Sequence, residues 1–391
     1  MRPIPTLAQL YADILADLQV AFGVTIFTFG RVFLRALAAV QAAKLYLYYL
    51  TQANLQKNIF VDTADPEAIG GTLERFGRVK INRNPFAARA GQYVCTVTGT
   101  SGSTIRANST FKSDDTSAAP GFLFVLDALY TMPGSTGSIT VRALTLGIDA
   151  KLAIGNTLTA TAPIAGVNSI ITVTAVAIEP AAAEDIERYR EVVLDSYRTE
   201  PQGGAATDYR IWANDAQGVQ RVYPYAASGL VSEINLYVEA TVADSTDGKG
   251  TPSALLLADV EAVVEFDPDT TRPLNERGRR PLQAIVNFIG ITPLNIDIVI
   301  TNYSGLTPTI QTLITNAVTD AVNAVRPFVS AADILSDKND ILDQNKIIAA
   351  IISAQPGSIF TSVQVSVSGA PTASYTFING NIPYFNSITF V

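Results

Sequence analysis

At 391 residues, 48% hydrophobic and 16% charged, the chain is long enough for two or three domains and apolar enough to bury their cores. Its 27 basic and 35 acidic side chains leave a net charge of −8, which excludes a broad positive face for nucleic acid and leaves only local basic patches open. Histidine is absent and Cys95 is the single cysteine, so His-based nucleophile systems, His-ligated zinc, multi-cysteine metal sites and an intrachain disulfide framework are all excluded.

The first predicted element is a helix. Thr6 and Gln9 have capping-box spacing, and Leu7, Leu10, Tyr11, Ile14, Leu15 and Leu18 keep a helical rhythm. Asp13 and Asp17 set this start apart from a signal-peptide core. The uncharged run Leu18–Gly30 falls short of the ~20 residues a spanning helix needs, and Arg31, Arg35 and Lys44 follow it. A soluble protein without membrane insertion is expected. A second helix is predicted from about Gly30 to Asn58. It carries Phe33, Leu37, Val40, Leu47, Tyr48 and Leu50 among apolar residues on nearly every side. A helix apolar all round must be covered all round, either by another chain or by this chain's later domains. Those six residues are therefore candidate interface positions. A shorter helix is expected at Pro66–Phe76, with Asp65 as N-cap and Gly77 past its end.

From Gly91 to Ile178 the composition turns to Thr, Val, Ser and Gly. Strands are predicted at Tyr93–Thr98, Phe122–Leu126, Ser138–Leu144 and Ile170–Ile178. Ala181–Arg198 returns to helix, with Ile186, Tyr189, Val193 and Tyr197 on one face and Glu184, Glu187, Arg188 and Glu191 on a solvated one. After Pro201-Gln202-Gly203-Gly204, a helix at Asp208–Ala216 precedes strands at Val219–Tyr225 and Glu233–Ala240. Thr251-Pro252 reads as the N-cap and first residue of a helix through Phe266. Strands follow at Leu282–Ile289 and Asn295–Ile300. Thr307-Pro308 repeats the helix start, Ile310, Leu313, Ile314, Ala317, Val318, Ala321 and Val325 form its stripe, and Pro327 ends it. Leu313, Ala317 and Ala321 join the candidate interface, because small alanines permit close approach either to the chain's own sheet or to a second copy. A short helix at Lys346–Ser353 and strands at Ile359–Val367, Tyr375–Ile378 and Ser387–Val391 complete the chain. The stretches Tyr209–Gly218 and Ile347–Gly357 echo one another weakly, each a short helix, a glycine stop and a strand.

The expected fold class is α+β multidomain: an N-terminal helical segment (1–87), an inserted all-β domain (88–180), a helix linker with a middle α+β domain (181–305) and a C-terminal α+β domain (306–391).

Enzyme motifs are weak. Ala243–Thr251 approximates a phosphate loop, but its leading glycine is Ala243 and Lys249 precedes Gly250, so a surface loop is expected. The run Asp337–Asp343 lacks the glycine and polar ligand of a calcium loop and reads as a solvated linker with an N-cap aspartate. Asp267 and Asp269 flank Pro268 in a turn rather than forming an acid–base pair. Two basic clusters remain: Arg75, Arg78, Lys80, Arg83 and Arg89, and Arg272, Arg277, Arg279 and Arg280. Solvated loops are the plain reading. Docking onto an acidic neighbour is the sharper one, with Arg272 and Arg280 as its candidates.

Four stretches together resemble the baseplate J-like family of tailed-phage proteins. The first runs from Phe60-Val61-Asp62-Thr63-Ala64 through Phe76-Gly77 to Asn84-Pro85-Phe86 and Ala90-Gly91, and the second is Gly155-Asn156. The third is Glu184 to Arg190, continued by Pro201-Gln202-Gly203-Gly204, Asp208-Tyr209 and Trp212-Ala213. The fourth is Gly218 to Pro224 with Arg280-Pro281-Leu282. Gln217 replaces the family's usual proline, and Lys151–Ile154 replaces a glycine-rich turn.

The resemblance implies a structural wedge component of a contractile tail baseplate, with no active site and no cofactor. It implies N-terminal helices bundled with partner chains, an outward β domain and α+β domains joining copies into a ring that rearranges on contraction. The implied partners are a second copy as homodimer, other wedge proteins, the central hub and spike, and proteins near the sheath. Neither nucleic acid nor membrane is among them. The implied location is the virion's tail baseplate, after assembly in the host cytoplasm. The competing reading is an adhesin-like module whose β domain grips host glycan through Tyr93, Tyr130 or Phe122. A metal-independent glycosidase is a third.

Overall fold

The computed structural model describes residues 4–22, 32–198, 203–229 and 232–391. They fall into two compact units: residues 1–84 with 189–197, and residues 85–188 with 198–391.

In the first unit, α1 (Leu7–Phe22) opens on the expected capping box. The Thr6 amide donates to Gln9 Oε1 at 2.9 Å, and the Gln9 amide donates to Thr6 Oγ1 at 3.2 Å. Next, α2 (Val32–Lys57) packs on α1; its expected start at Gly30 lies outside the described residues. The helix expected over Pro66–Phe76 is two pieces. A single 3₁₀ turn, Glu67–Ile69, stops at Gly70, whose φ of +86° is left-handed, and α3 (Leu73–Lys80) starts afresh. Gly71 enforces the break, since a Cβ there would lie 1.7 Å from the Asp65 carbonyl oxygen. Asp65 pairs with Lys57 at 2.5 Å instead of capping a helix. Gly77 lies inside α3 rather than beyond it, where its missing side chain admits the Tyr189 hydroxyl.

The second unit begins with eight strands: β1 (Gln92–Thr98), β2 (Thr104–Ile105), β3 (Thr110–Ser113), β4 (Leu123–Leu126), β5 (Tyr130–Thr131), β6 (Thr136–Ala143), β7 (Thr157–Ala160) and β8 (Ile170–Ile178). Six of them close into a barrel in the order β1-β6-β4-β3-β7-β8, while β2 and β5 form a separate ribbon. The period of two sends Tyr93, Cys95 and Val97 of β1 inward against Phe111, Phe124, Val141 and Ile171. Burial pushes the Cys95 thiol up to about 12, which makes it an inert core side chain. The strands missed from the sequence are the short ones, β2, β3, β5 and β7.

Two side-by-side linkers hold the barrel, with Arg89 and Ala181 bridged between them. The helix expected from Ala181 forms only as α4 (Ile186–Arg198), because the Asp185 carboxylate accepts from the Glu187 and Arg188 amides and fixes the start there. Glu184 is not on a solvated helix face; its carboxylate accepts from the Phe86 amide at 3.0 Å. Tyr197, expected on the packed face, is exposed, and Val192 and Ser196 are buried in its stead.

The middle domain comprises α5 (Ala206–Ala213), β9 (Val219–Ala226), β10 (Glu233–Ala240), α6 (Ala254–Glu265) and β11 (Ile285–Gly290). Its sheet order is β11-β10-β9, with β10 antiparallel to β9 and parallel to β11 through α6. Ser253, not Thr251, caps α6 by accepting from the Leu256 amide at 3.1 Å, because Thr251 Oγ1 is engaged by Asp247. Leu282, expected to begin a strand, stands almost wholly in solvent before β11.

The C-terminal domain follows after one residue, Ile291: β12 (Thr292–Thr301), α7 (Pro308–Asn323), β13 (Ile341–Asp343), α8 (Gln344–Ala354), β14 (Ser362–Val367), β15 (Ala370–Thr372), β16 (Ser374–Thr376) and β17 (Asn381–Phe390). Thr307 caps α7 as expected. Asp343 caps α8, but the expected solvated linker before it includes β13 with Leu342 buried. The main sheet runs β15-β14-β12-β17. Ile296, Ile298 and Ile300 of β12 bury against Ile314 and Val318 of α7 and Ile347 and Ile351 of α8.

Candidate interaction surfaces

The two basic clusters are largely consumed inside the fold. Arg279 is clamped between Asp215 at 2.7 Å and Asp267 at 3.2 Å. The candidate Arg280 pairs with Glu265 at 2.7 Å and donates to the Ala284 carbonyl, whereas Arg272 is exposed. In the first cluster Arg78 pairs with Glu67, Lys80 stands 5.1 Å over the Tyr197 ring, and Arg89 reaches Asp259 at 3.5 Å. A positive docking patch is thus reduced to a few side chains.

The weak enzyme motifs close in the same way. The Asp247 carboxylate accepts from the Lys249 and Thr251 amides, and Lys249 Nζ donates to Asn295 and lies 4.7 Å over the Tyr384 ring. Against the opposing pull of burial, the Thr251 hydroxyl and these amides hold Asp247 below the usual carboxylate range. Asp267 takes the Asp269 amide at 2.9 Å, a turn rather than a catalytic pair. Among the described residues no group of His, Cys, Asp and Glu could hold a metal ion. No helix among them is long and apolar enough to cross a membrane. Tyr93 cannot present a sugar-stacking face: it lies inside the barrel, its hydroxyl bonded to Ala150 and Leu152.

The conspicuous surface is on α2. Of its 26 residues only Ala38 and Ala42 are buried. Phe33 is 76% exposed, Val40 54%, Leu47 62% and Tyr48 59%, with Leu37 half-buried and Leu50 exposed. Phe33, Val40 and Leu47 are seven residues apart, and Ala36, Ala43 and Leu50 occupy the complementary positions, a heptad seam turned away from Ala38 and Ala42. Ala36 and Ala43 escaped the sequence reading, which noted the apolar surplus but not its seven-residue period.

On α7 the picture is the reverse. Ile314, Val318, Val322 and Val325 are buried in the domain's own core, Ala317 and Ala321 are half-buried, and only Leu313 of the candidate trio is exposed. The strand read at Ile359–Val367 forms as β14, paired along its length with β12 and at Val365–Val367 with β15; the outer strand with length to spare is β17. On β17 a bulge at Asn386 is pinned by Asp297, which accepts from Asn386 and Ser387 at 2.6 Å each. The Ser387 hydroxyl and then Asn386 hold this carboxyl below its ordinary range.

The segments that carried the resemblance meet as structure. The Asp208 carboxylate caps α5 by accepting from the Gly204 and Ala205 amides, and a Cβ on Gly204 would strike Pro281 at 2.7 Å. Pro201 and Gln202 lie outside the described residues. Arg190 donates to the Val61 and Ala64 carbonyls at 2.7 Å each. Gln217 donates to the Ala87 and Ala182 carbonyls, tying both barrel linkers to the middle domain.

A closed barrel followed by two α+β domains defines a modular multidomain protein. Residues 94–179 match the baseplate J-like protein barrel domain, and residues 201–290 match the baseplate J-like central domain. The chain thus carries regions similar to both the barrel and the central domain of the baseplate J-like family, in this order. It is 29% identical over 128 residues, 33% of its length, to the Mu-like prophage FluMu protein gp47 of Haemophilus influenzae, and the match spans only 35% of that relative. A solved cryo-EM structure of the anti-feeding prophage baseplate, 6-fold symmetrised, superposes with a TM-score of 0.44 at 10% identity, covering 96% of this chain and 90% of the other.

Proposed function

We propose that this phage or prophage tail baseplate component is a non-enzymatic wedge protein that joins partner chains and further copies into a ring around a central hub and rearranges on contraction. The observation that carries the reading is α2: a long helix whose apolar heptad seam is exposed among the described residues. Exposing so much apolar surface is unfavourable at about 25 cal/mol per Å², and a partner helix would remove that cost. Phe33, Leu37, Val40, Leu47, Tyr48 and Leu50 would form that joint. Arg272, Arg280, Leu313, Ala317 and Ala321 remain proposed contacts of the later domains, of which Arg272 and Leu313 have the freest side chains. In this reading the segment 1–87 bundles, 88–180 is the outward β module, the middle domain within 181–305 links, and the C-terminal domain, β12 together with 306–391, meets a second copy. The assembly forms in the host cytoplasm and resides in the virion's baseplate.

The test is deletion of residues 1–60 followed by co-expression with the neighbouring tail proteins. The remainder should fold yet fail to co-purify with them. Undiminished co-purification of the truncated chain overturns the proposal.

A further inference from the structure

Within the second unit, the middle and C-terminal domains meet through a segment that belongs to neither sheet. After α7 the chain runs from Arg326 to Asp333 without a helix or strand, and almost every side chain of this stretch with a role grips the middle domain. Arg326 Nη2 lies 3.7 Å from Glu239 on β10, and Glu239 is only 6% exposed. The same carboxylate accepts from the Tyr223 hydroxyl of β9 at 2.7 Å. The Tyr225 hydroxyl donates to the Phe328 carbonyl at 3.1 Å. At the far end Asp333 takes both arms of the Arg210 guanidinium from α5, at 2.5 and 3.1 Å. Between these points Val329 is buried with Tyr223, Ile291 and Ile382, a small apolar patch beside the two large domain cores.

Two features separate this stretch from an ordinary loop. Its ionic contacts sit at the two ends, and the apolar surface that opening would expose is the small patch around Val329 rather than either large domain core. It is also strained: Ala331 has φ +67°, a left-handed conformation that a residue with a Cβ adopts only when its surroundings enforce it. What enforces it is Asp333, whose carboxylate accepts from the Val329 amide at 2.7 Å while its own amide donates to the Val329 carbonyl at 2.9 Å. One carboxylate therefore holds the strained turn and the Arg210 fork together. Losing that carboxylate would remove both at once.

We propose that residues 326–333 form a releasable strap that fixes the C-terminal domain against the middle domain when Asp333 engages Arg210 and Arg326 engages Glu239, and lets them reorient when these pairs part. Ile291 is the pivot. Its amide donates to Val238 of the middle sheet, and the next amide, from Thr292, donates to Gly380 of the C-terminal domain, so the chain changes domains across a single residue.

The experiment uses the full chain with Cys95→Ser and spin labels at Glu261→Cys on α6 and Asn316→Cys on α7, both exposed. Pulsed dipolar spectroscopy on this parent should give one narrow distance. Asp333→Asn combined with Glu239→Gln should broaden or split it, with circular dichroism of the folded protein retained. Arg210→Lys, which keeps the charge and leaves the Asp333 carboxylate on the Val329 amide but loses the fork, should broaden it to a lesser degree. If the double variant misfolds, Arg210→Lys and Glu239→Gln are each measured alone. A distance distribution unchanged from the parent in the folded variants overturns the strap, as does equal broadening by Asp320→Asn, an exposed α7 carboxylate outside the strap.

Discussion

The barrel and the α1–α2 hairpin put their apolar sequence to opposite ends. In the barrel, every second residue of β1 points inward and finds partners from strands up to about 80 residues away, so Tyr93, Cys95 and Val97 are fully buried. On α2 the apolar residues recur at helical spacing all round, and one short helix can cover only one side. The lesson is geometric. A period that matches a surface the chain can supply gives a core, and an apolar surplus beyond that period gives a joint.

The largest expected effect breaks the comparison on the barrel side. Phe124→Ala removes a fully buried ring packed edge-on to Tyr93 at 5.7 Å between centroids. It should destabilise the protein by about 3–5 kcal/mol, read from urea unfolding. A loss under 1 kcal/mol would mean the barrel interior is loosely packed, and the contrast with α2 would fail.

Next in size is the ion cluster that absorbed the second basic patch. Asp215→Ala leaves Arg279 with Asp267 and the Val263 carbonyl in a largely buried setting and should cost about 2 kcal/mol in the same measurement. An exposed docking arginine would show no such loss.

A smaller effect concerns acid. The Asp297 carboxyl is held below its ordinary range in the folded chain, so its contribution to stability is present above the unfolded-state value, about 3.9, and is lost as pH falls through the lower folded value. The melting-temperature gap between the parent and Asp297→Asn should therefore be open at pH 7 and narrow in the acid range below about pH 4. A gap of constant size across that range would mean the carboxylate charge contributes nothing to pinning the β17 bulge.

How much of this was legible in the sequence follows from what decides each element. Strong periods were readable: α1 with its Thr6–Gln9 box, α7 with its Thr307 cap, and β10, whose limits Glu233–Ala240 coincide with the expectation. Short strands were not. Thr110–Ser113 and Thr157–Ala160 become strands because they pair with one another, 45 residues apart at Ser113 and Leu158, by a register no local pattern contains. The break at Gly70–Gly71 was hidden because the helical rhythm continues through it, whereas the left-handed Gly70 and the close approach of the Asp65 carbonyl to Gly71 stop the helix. The candidate site divides along the same line. The apolar surplus of α2 could be read locally, whereas the capture of Arg280 and Arg279 depends on Glu265, Asp267 and Asp215, which a composition count places on the opposite side of the ledger without saying where they fold.

The smallest expected effect on the chain itself is the sharpest test of the comparison. Leu47 is as large and apolar as a core leucine, yet it is 62% exposed and lies on the seam turned away from Ala42. In a core position Leu→Ala costs about 2–5 kcal/mol. At an uncovered one the transfer and cavity terms are both nearly absent, and alanine is the better helix former, so Leu47→Ala should shift the stability of the isolated protein by no more than about 0.5 kcal/mol in either direction. Central, fully desolvated apolar anchors of an interface do carry binding energy, so the same substitution should cost about 2 kcal/mol in association with the partner helix, a roughly 30-fold weaker complex by titration calorimetry. Leu47 is a seam residue only if the two numbers diverge in this way. A loss of 2 kcal/mol or more in the isolated chain would show that α2 is covered by the protein's own domains, and the distinction drawn between barrel and hairpin would disappear.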